Sequence, residues 1–391
     1  MSFSTDDCKG KEQVVLGTLF DYVKWRGDLS FTEAPFNEVD SLIFSLISYV
    51  DFDGIVSNLH GGTKVPIKAA ANSYFTKNPD MKKISVGLIV PKDIVKLFRA
   101  LKDCRRFRNV ELSAYVNHVD LEEQTQFSAI TVFPGDGTMV IAYRGTDDTI
   151  VGWKENFNMS FLPVVPAQAA AADYLNQAAK SNASFSSIRL TGHSKGGNLA
   201  VFAAVNCAAE VKKRLINVWS NDGPGFNKNI LEDEDYIDMR HMIKSFVPEN
   251  AVVGMLLEHD ENYTVVKSRQ KGMFQHDGVS WEVMGGSFVY LKERSNESKR
   301  LDKVLKEWVR EMSPEQREQF TDALFQILSA DNALTLTELV SIRNKWLAKG
   351  KKLDPHVHKT IQKTVTTLIG LNTKTILSDL FPPKENSKPQ K

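Results

Sequence analysis

Gly192-His193-Ser194-Lys195-Gly196-Gly197-Asn198-Leu199-Ala200 places a serine between two glycines, each two residues away. A serine hydroxyl is a poor nucleophile until a turn presents it to a base, and the flanks predict such a turn. Ser187 to Thr191 is β-branched and apolar and reads as a strand, and the apolar stretch from Leu199 to Ala209 reads as a buried helix. Strand, sharp turn and helix together form the setting in which G-x-S-x-G makes a nucleophile elbow. Gly192 and Gly196 carry no Cβ, so the helix can close on the strand while Ser194 sits in a strained conformation with its hydroxyl exposed. The bland alternative for these residues is a tight strand-to-helix turn without chemistry.

A serine attacking a carbonyl needs donors for the oxyanion it creates. The strand Thr138 to Tyr143 runs into Arg144-Gly145-Thr146-Asp147-Asp148, with Trp153 close behind. A glycine at a strand end lets backbone N–H groups face the developing charge, and the expected donors are the amides of Thr146 and Lys195. An ordinary turn with Arg144 paired to an acid is the competing reading. Lys195 is odd on its own terms, because a cation in the first turn of a helix opposes the macrodipole by about 0.3 kcal/mol or more. Either it meets an anionic substrate head group or an acid such as Asp147 or Asp148, or its side chain is solvated.

Arg144-Gly145-Thr146 with a nearby tryptophan, about fifty residues before Gly-His-Ser-x-Gly-Gly, resembles the class 3 (fungal-type) lipase family of α/β-hydrolases. The longer strings Gly192 to Ala200, Asp222-Gly223-Pro224-Gly225-Phe226 and Gln275-His276-Asp277 are similar to an uncharacterised, lipase-like bacterial branch of that group. The lipase likeness spans about residues 110 to 290, and the likeness to the branch nearly the whole chain. It implies a fold and a catalytic arrangement, not a substrate.

Hydrolases of this fold carry serine, then acid, then histidine. After Ser194 come His241, His259, His276, His356 and His358. His241 precedes a strand and so belongs at the wrong end of a parallel sheet, and His356 and His358 fall in the helical C-terminal part. His276 follows the strand Thr264 to Val266 after the glycine-containing loop Lys271-Gly272-Met273-Phe274, so it is favoured over His259 as the base; a loop histidine bonded to Asp277 is its alternative. For the acid, Asp222 resembles that of pancreatic-type lipases, where an aspartate before a Pro/Gly-rich turn follows the strand next beyond the nucleophile. Class 3 lipases place the acid one strand later, where Pro248 to Gly254 offers only Glu249. Asp222 is therefore preferred, with Glu249 the alternative and Asp260 or Asp277 behind them. Such a triad would hydrolyse carboxylic esters through an acyl-enzyme. The apolar stretch Met159, Phe161, Leu162, Val164 and Val165 would favour apolar acyl groups, glycerolipids or lysophospholipids among them. A second hypothesis is a vestigial lipase-like protein that binds a lipid or a protein partner.

The elements that would position these residues follow from periodicity. Residues 12–60 read as largely helical, with Val39, Leu42, Ile43, Leu46, Ile47 and Val50 at helical spacing, and Ile94 to Phe107 reads likewise. His60 to Thr63 reads as a loop. Glu111 to Val119 and Phe127 to Tyr143 read as strands, the second folded into a hairpin at Pro134-Gly135-Asp136-Gly137. Ala167 to Ala179 is an expected helix, and Ile216 to Trp219, Ile243 to Val247 and Thr264 to Val266 are expected strands. The prediction is an α/β protein of the α/β-hydrolase fold, a mostly parallel sheet with helices on both faces. Its parts are a mainly helical N-terminal region (1–110), the hydrolase core (111–290), a helical appendage (291–381) and a disordered polar tail (382–391). In the appendage, Leu301, Val304, Leu305, Trp308 and Met312 form one apolar stripe. Ser313, Pro314 and Gln316 open the next helix, which continues through Phe320, Leu324, Phe325 and Leu328.

Composition limits the alternatives. The 391 residues are 42% hydrophobic with a formal net charge of +1, enough apolar material for one large domain and no electrostatic case for nucleic acid. No apolar run approaches the ~18 residues of a membrane span, and Asp6 and Asp7 spoil any secretory start. The expectation is a cytoplasmic protein, with transient membrane contact left open and the oligomeric state undetermined. Cys8, Cys104 and Cys207 are scattered, so neither a disulfide framework, a metal nor any other cofactor is expected, and Cys207 reads as a small core residue.

Overall fold

The computed structural model describes residues 17–59, 62–80, 93–259 and 262–328, with 334, 335 and 338 beyond them. Five helices occupy its first part: α1 (Leu19–Arg26), α2 (Glu38–Ile47), α3 (Ile67–Lys77), α4 (Asp93–Leu101) and the short α5 (Arg105–Arg108), with the two-residue β1 (Val65–Pro66) ahead of α3. The strands β2 (Glu111–Asp120), β3 (Thr125–Phe133) and β4 (Met139–Tyr143) follow as a meander. Then come α6 (Ile150–Asn158), α7 (Pro166–Ser181), β5 (Ile188–His193), α8 (Lys195–Asn206), the short α9 (Ala209–Lys212) and β6 (Leu215–Asn221). The short α10 (Lys228–Leu231) and α11 (Glu234–Met239) lead to β7 (Ile243–Pro248) and β8 (Tyr263–Val266). A small hairpin, β9 (Val283–Met284) and β10 (Ser287–Phe288), precedes β11 (Tyr290–Leu291), α12 (Asn296–Arg310) and α13 (Pro314–Leu328).

Among the described residues one nine-stranded sheet runs in the order β1-β2-β3-β4-β5-β6-β7-β8-β11. Strands β4 through β8 are parallel, β1 to β4 pair antiparallel, and β11 closes the far edge antiparallel to β8. This is the expected α/β architecture, and strand alternation builds a core on each face. Ile130, Val132, Val140 and Ala142 point to one side, where they pack with Val39, Leu42, Ile43 and Leu46 of α2 and with α1, α3 and α4. Ala129, Met139, Ile141 and Tyr143 point to the other, against α7 and α8. Both β3 and β4 are buried along their whole length, β4 as the continuous apolar run Met139–Tyr143 that two-sided burial favours and β3 with Gln126, Ser128 and Thr131 among its apolar residues.

The N-terminal helices are thus one cover of the sheet. Ser45 of α2 bonds Thr191 of β5 at 2.7 Å beneath the elbow, and a fully buried Asp40–Arg106 ion pair, 2.6 Å, joins α2 to α5. Burial drives the Asp40 carboxyl upward while the guanidinium beside it opposes that shift. At the other end α13 packs on α6, where Phe157 and Phe325 meet edge to face at 5.4 Å.

Several elements differ from the sequence reading. Among the described residues 17–59, helix is confined to α1 and α2, with turns between, because Pro35 and the Asn37 cap break the run. Helices α3 and α6 and the pairs β9–β10 and β11 carried too little periodicity to be anticipated. Cys207 is buried at the end of α8. Cys8, His60, Asp260, His356, His358 and the tail 382–391 lie outside the described residues. Among the described residues no helix is long and apolar enough to cross a membrane.

Candidate active site

Ser194 is the residue between β5 and α8, with φ 57° and ψ −133°. A non-glycine residue held there costs about 1–3 kcal/mol, and the surroundings enforce it. A Cβ on Gly192 would stand 2.0 Å from the Gly196 carbonyl oxygen, and one on Gly196 would stand 2.1 Å from that of Tyr143. Both glycines are therefore demanded by close approach of backbone to backbone. The Ser194 amide donates to Asn221 O at 3.0 Å, which ties the elbow to the end of β6.

One residue beyond that strand end lies Asp222, fully buried, with its amide on Phe246 O at 2.7 Å. Its Oδ2 is 2.6 Å from His276 Nδ1. Three-dimensional proximity thus joins residues 54 apart in sequence, each delivered by a loop at the carboxyl ends of parallel strands. The Asp222 loop is held by Asn198 of the elbow helix, whose amide nitrogen donates to Gly225 O at 2.7 Å. The His276 loop is held by Trp281, which donates its indole N–H to Gln275 O, and by Gln275, which accepts from the Asn250 amide. Among the described residues no hydrogen bond joins Ser194 Oγ to the imidazole, so the constellation is closed on its acid side and open on its serine side.

The other acid candidates lie elsewhere. Glu249 is fixed through its backbone, its amide to Val266 O and its carbonyl to the Ser295 amide, and makes no bond to His276. Asp277 caps the turn at Val279, and burial raises its carboxyl to about 6. The loop that could have carried a later acid instead folds over Asp222: a Cβ on Gly254 would fall 2.0 Å from Asp222 Oδ1. His259 is enclosed and its imidazole is pushed down to about 4 by burial, while His241 sits in the turn before β7, at the opposite end of the sheet.

The loop after β4 lies against the serine. A Cβ on Gly145 would lie 3.0 Å from Ser194 Cβ, and the loop is fixed by Arg144, which bonds Asn117 and Asp147, and by Thr146 Oγ1 on Asn156. Among the described residues the backbone amides of Thr146 and Lys195 donate to no acceptor. The Lys195 side chain corrects the sequence reading. It reaches neither solvent, a substrate position, Asp147 nor Asp148, but is 1% exposed in an ion pair with Glu155 of α6 at 2.8 Å, and donates to Gln126 O at 2.6 Å. Glu155 also accepts from the Gln126 and Ala167 amides, so α6, β3, α7 and α8 meet at one carboxylate. That partner compensates the dipole conflict.

His193 was also missed. Its Nε2 lies 2.7 Å from the His276 carbonyl oxygen, which can only accept, so this nitrogen carries the proton. Its Nδ1 then accepts from the Tyr49 hydroxyl at 3.3 Å. Burial holds the His193 imidazole neutral by pushing it down to about 3. No sequence signal marks Tyr49 or Glu155, since each acts across more than one element.

Among the described residues no group of three or more His, Cys, Asp or Glu side chains is arranged to hold a metal ion. No curated protein matches the chain. Residues 101–326, more than half of the 391, match the Mbeg1-like family. With a nine-stranded α/β sheet and an elbow serine at its centre, the chain belongs to the Mbeg1-like family, a lipase-like family of the α/β-hydrolase class.

Proposed function

We propose that this protein is a serine esterase acting on carboxylic esters with apolar acyl groups. The observation that carries this reading is the 2.6 Å bond between buried Asp222 and His276, set at the strand ends beside the strained Ser194. In the reaction His276 Nε2 takes the Ser194 proton as Oγ attacks the ester carbonyl carbon. The resulting oxyanion is received by the unengaged N–H groups of Thr146 and Lys195. His276 returns the proton to the departing alkoxide, leaving an acyl-serine and a free alcohol. A water molecule, deprotonated by the same imidazole, then cleaves the acyl-serine to a carboxylic acid and regenerates Ser194. Asp222 holds the Nδ1–H tautomer and stabilises the transient imidazolium.

Met159 and Val165 are core residues whereas Val164 is 45% exposed, so the segment between α6 and α7 lends an apolar edge to the same end of the sheet. That supports a lipid-like acyl group. A vestigial protein that binds a lipid or partner is the second reading, favoured by the lack of a Ser194–His276 bond; catalytic bonds are often long until substrate arrives. Hydrolysis of p-nitrophenyl esters of graded acyl length by wild type and Ser194→Ala separates the two. The esterase reading expects turnover that rises beyond acetyl and vanishes in the variant. Equal rates in the two proteins, or none in either, would overturn it.

A further inference from the structure

The C-terminal helices and the loop that follows Asp222 line an open cleft with a cavity volume of about 200 Å³. Its apolar lining comes from Phe226 and Met255, both buried, and from Leu305 and Val309 of α12. The lining is basic as well as apolar, with Lys228, Lys306, Arg310 and Arg317 against a single carboxylate, Glu258. Three of the four cations are already neutralised: Arg310 by Glu258, Lys306 by Asp302 and Lys228 by Glu232. Arg317 is not. Its Nε donates to Val309 O and its Nη1 to Ser160 O, and among the described residues no acid meets it and Nη2 has no partner. A half-buried guanidinium pinned by two carbonyls, with a donor left over and an apolar chamber beside it, is preorganised for an anion that carries a hydrocarbon chain.

We propose that this cavity binds a single-chain carboxylate amphiphile, with the carboxylate on Arg317 and the chain against Phe226, Met255, Leu305 and Val309. The volume is below the ~300–1,000 Å³ of pockets for drug-sized ligands, which suits one chain of medium length. Neither Ser194, Thr146 nor His276 lines it, so it is a site apart from the acyl-enzyme position. It is still joined to the acid side of that site. Phe226 is four residues after Asp222, Met255 follows the glycine packed on the Asp222 carboxylate, and Asn227 donates to Leu162 O at 3.0 Å. The origin of the ligand rests on the esterase reading, because hydrolysis of an acyl ester releases this kind of molecule. The site would hold product or report its level.

Titration calorimetry of octanoate and octanol into the full chain tests this. Octanoate should bind wild type and Ser194→Ala alike, and at least roughly tenfold tighter than octanol, the factor expected from one charge-assisted hydrogen bond. Arg317→Gln should remove that preference, leaving octanol unaffected, and Leu305→Trp should exclude both by filling the chamber. Absence of octanoate binding to wild type, or affinities unchanged in both variants, would overturn the proposal. Should a variant melt early, the wild-type preference for octanoate over octanol decides. Labelling of Ser194 by a fluorophosphonate is read separately: an unlabelled protein that binds octanoate contradicts the esterase reading and keeps the site, and a labelled protein blind to octanoate does the reverse.

Discussion

Gly254→Ala should cripple the site without altering a triad residue. The added Cβ would stand 2.0 Å from Asp222 Oδ1 and 3.0 Å from Cγ, whereas a carbon resting on an oxygen needs about 3.3 Å. The carboxylate is wholly buried, so it has to retreat by roughly 1 Å, and Oδ2, now 2.6 Å from His276 Nδ1, moves beyond useful hydrogen-bond length. Gly254 does not have a positive φ, so its backbone accepts alanine and the effect is transmitted through Asp222. A displacement of about 1 Å costs on the order of 10²-fold in rate, or ~2.7 kcal/mol of transition-state stabilisation. Overpacking at a buried position adds ~1–3 kcal/mol of destabilisation, so melting should be recorded beside kinetics on p-nitrophenyl butyrate. The expected result is kcat down about a hundredfold with KM little changed in a folded protein. A folded Gly254→Ala enzyme with wild-type kcat would refute the reasoning that Asp222 must sit where it does.

Asp222→Asn should lower kcat by roughly 10⁴-fold, the cost of losing the correct imidazole tautomer, whereas Glu249→Gln should match wild type; the reverse order in steady-state kinetics would transfer the acid role to Glu249. Glu155→Ala strands the buried Lys195 ammonium and should cost about 3–5 kcal/mol in urea unfolding, and an unchanged midpoint would deny that pair its structural part. Acid should weaken the fold through His193, whose imidazole titrates near 3 when folded against about 6.5 unfolded. The unfolded chain alone takes up the proton between those values, so stability is intact above pH 6.5. It falls by up to ~1.4 kcal/mol for each unit below that. His193→Gln, whose amide can still donate to the His276 carbonyl, should flatten the acid limb of melting temperature against pH; an equally steep limb would contradict this, His259 contributing the same sign in both proteins.

What could be read from sequence was local. The elbow announces itself because glycine, serine and glycine stand between a strand and a helix within five residues, although the contact that demands Gly196 comes from Tyr143 on the neighbouring strand, and apolar runs such as β4 follow from a sheet covered on both faces. His276 and Asp222 were accessible through strand order, since parallel strands deliver loops to one end. Lys195 was misjudged because its dipole conflict is visible in sequence but its remedy, Glu155, is forty residues away on a helix with no clear periodicity. Tyr49, His193 and Gly254 act through a few contacts with residues distant in sequence, and such contacts leave no pattern. The short β1 and β9 to β11 are set by pairing partners rather than by their own residues.

The most direct test of the central claim is mass-spectrometric mapping of a fluorophosphonate adduct on the purified, folded protein. The account predicts a single adduct on Ser194, formed far more slowly in Asp222→Asn and absent from Ser194→Ala. A folded wild-type protein that remains unmodified, or an adduct mapped to a different residue, would contradict it.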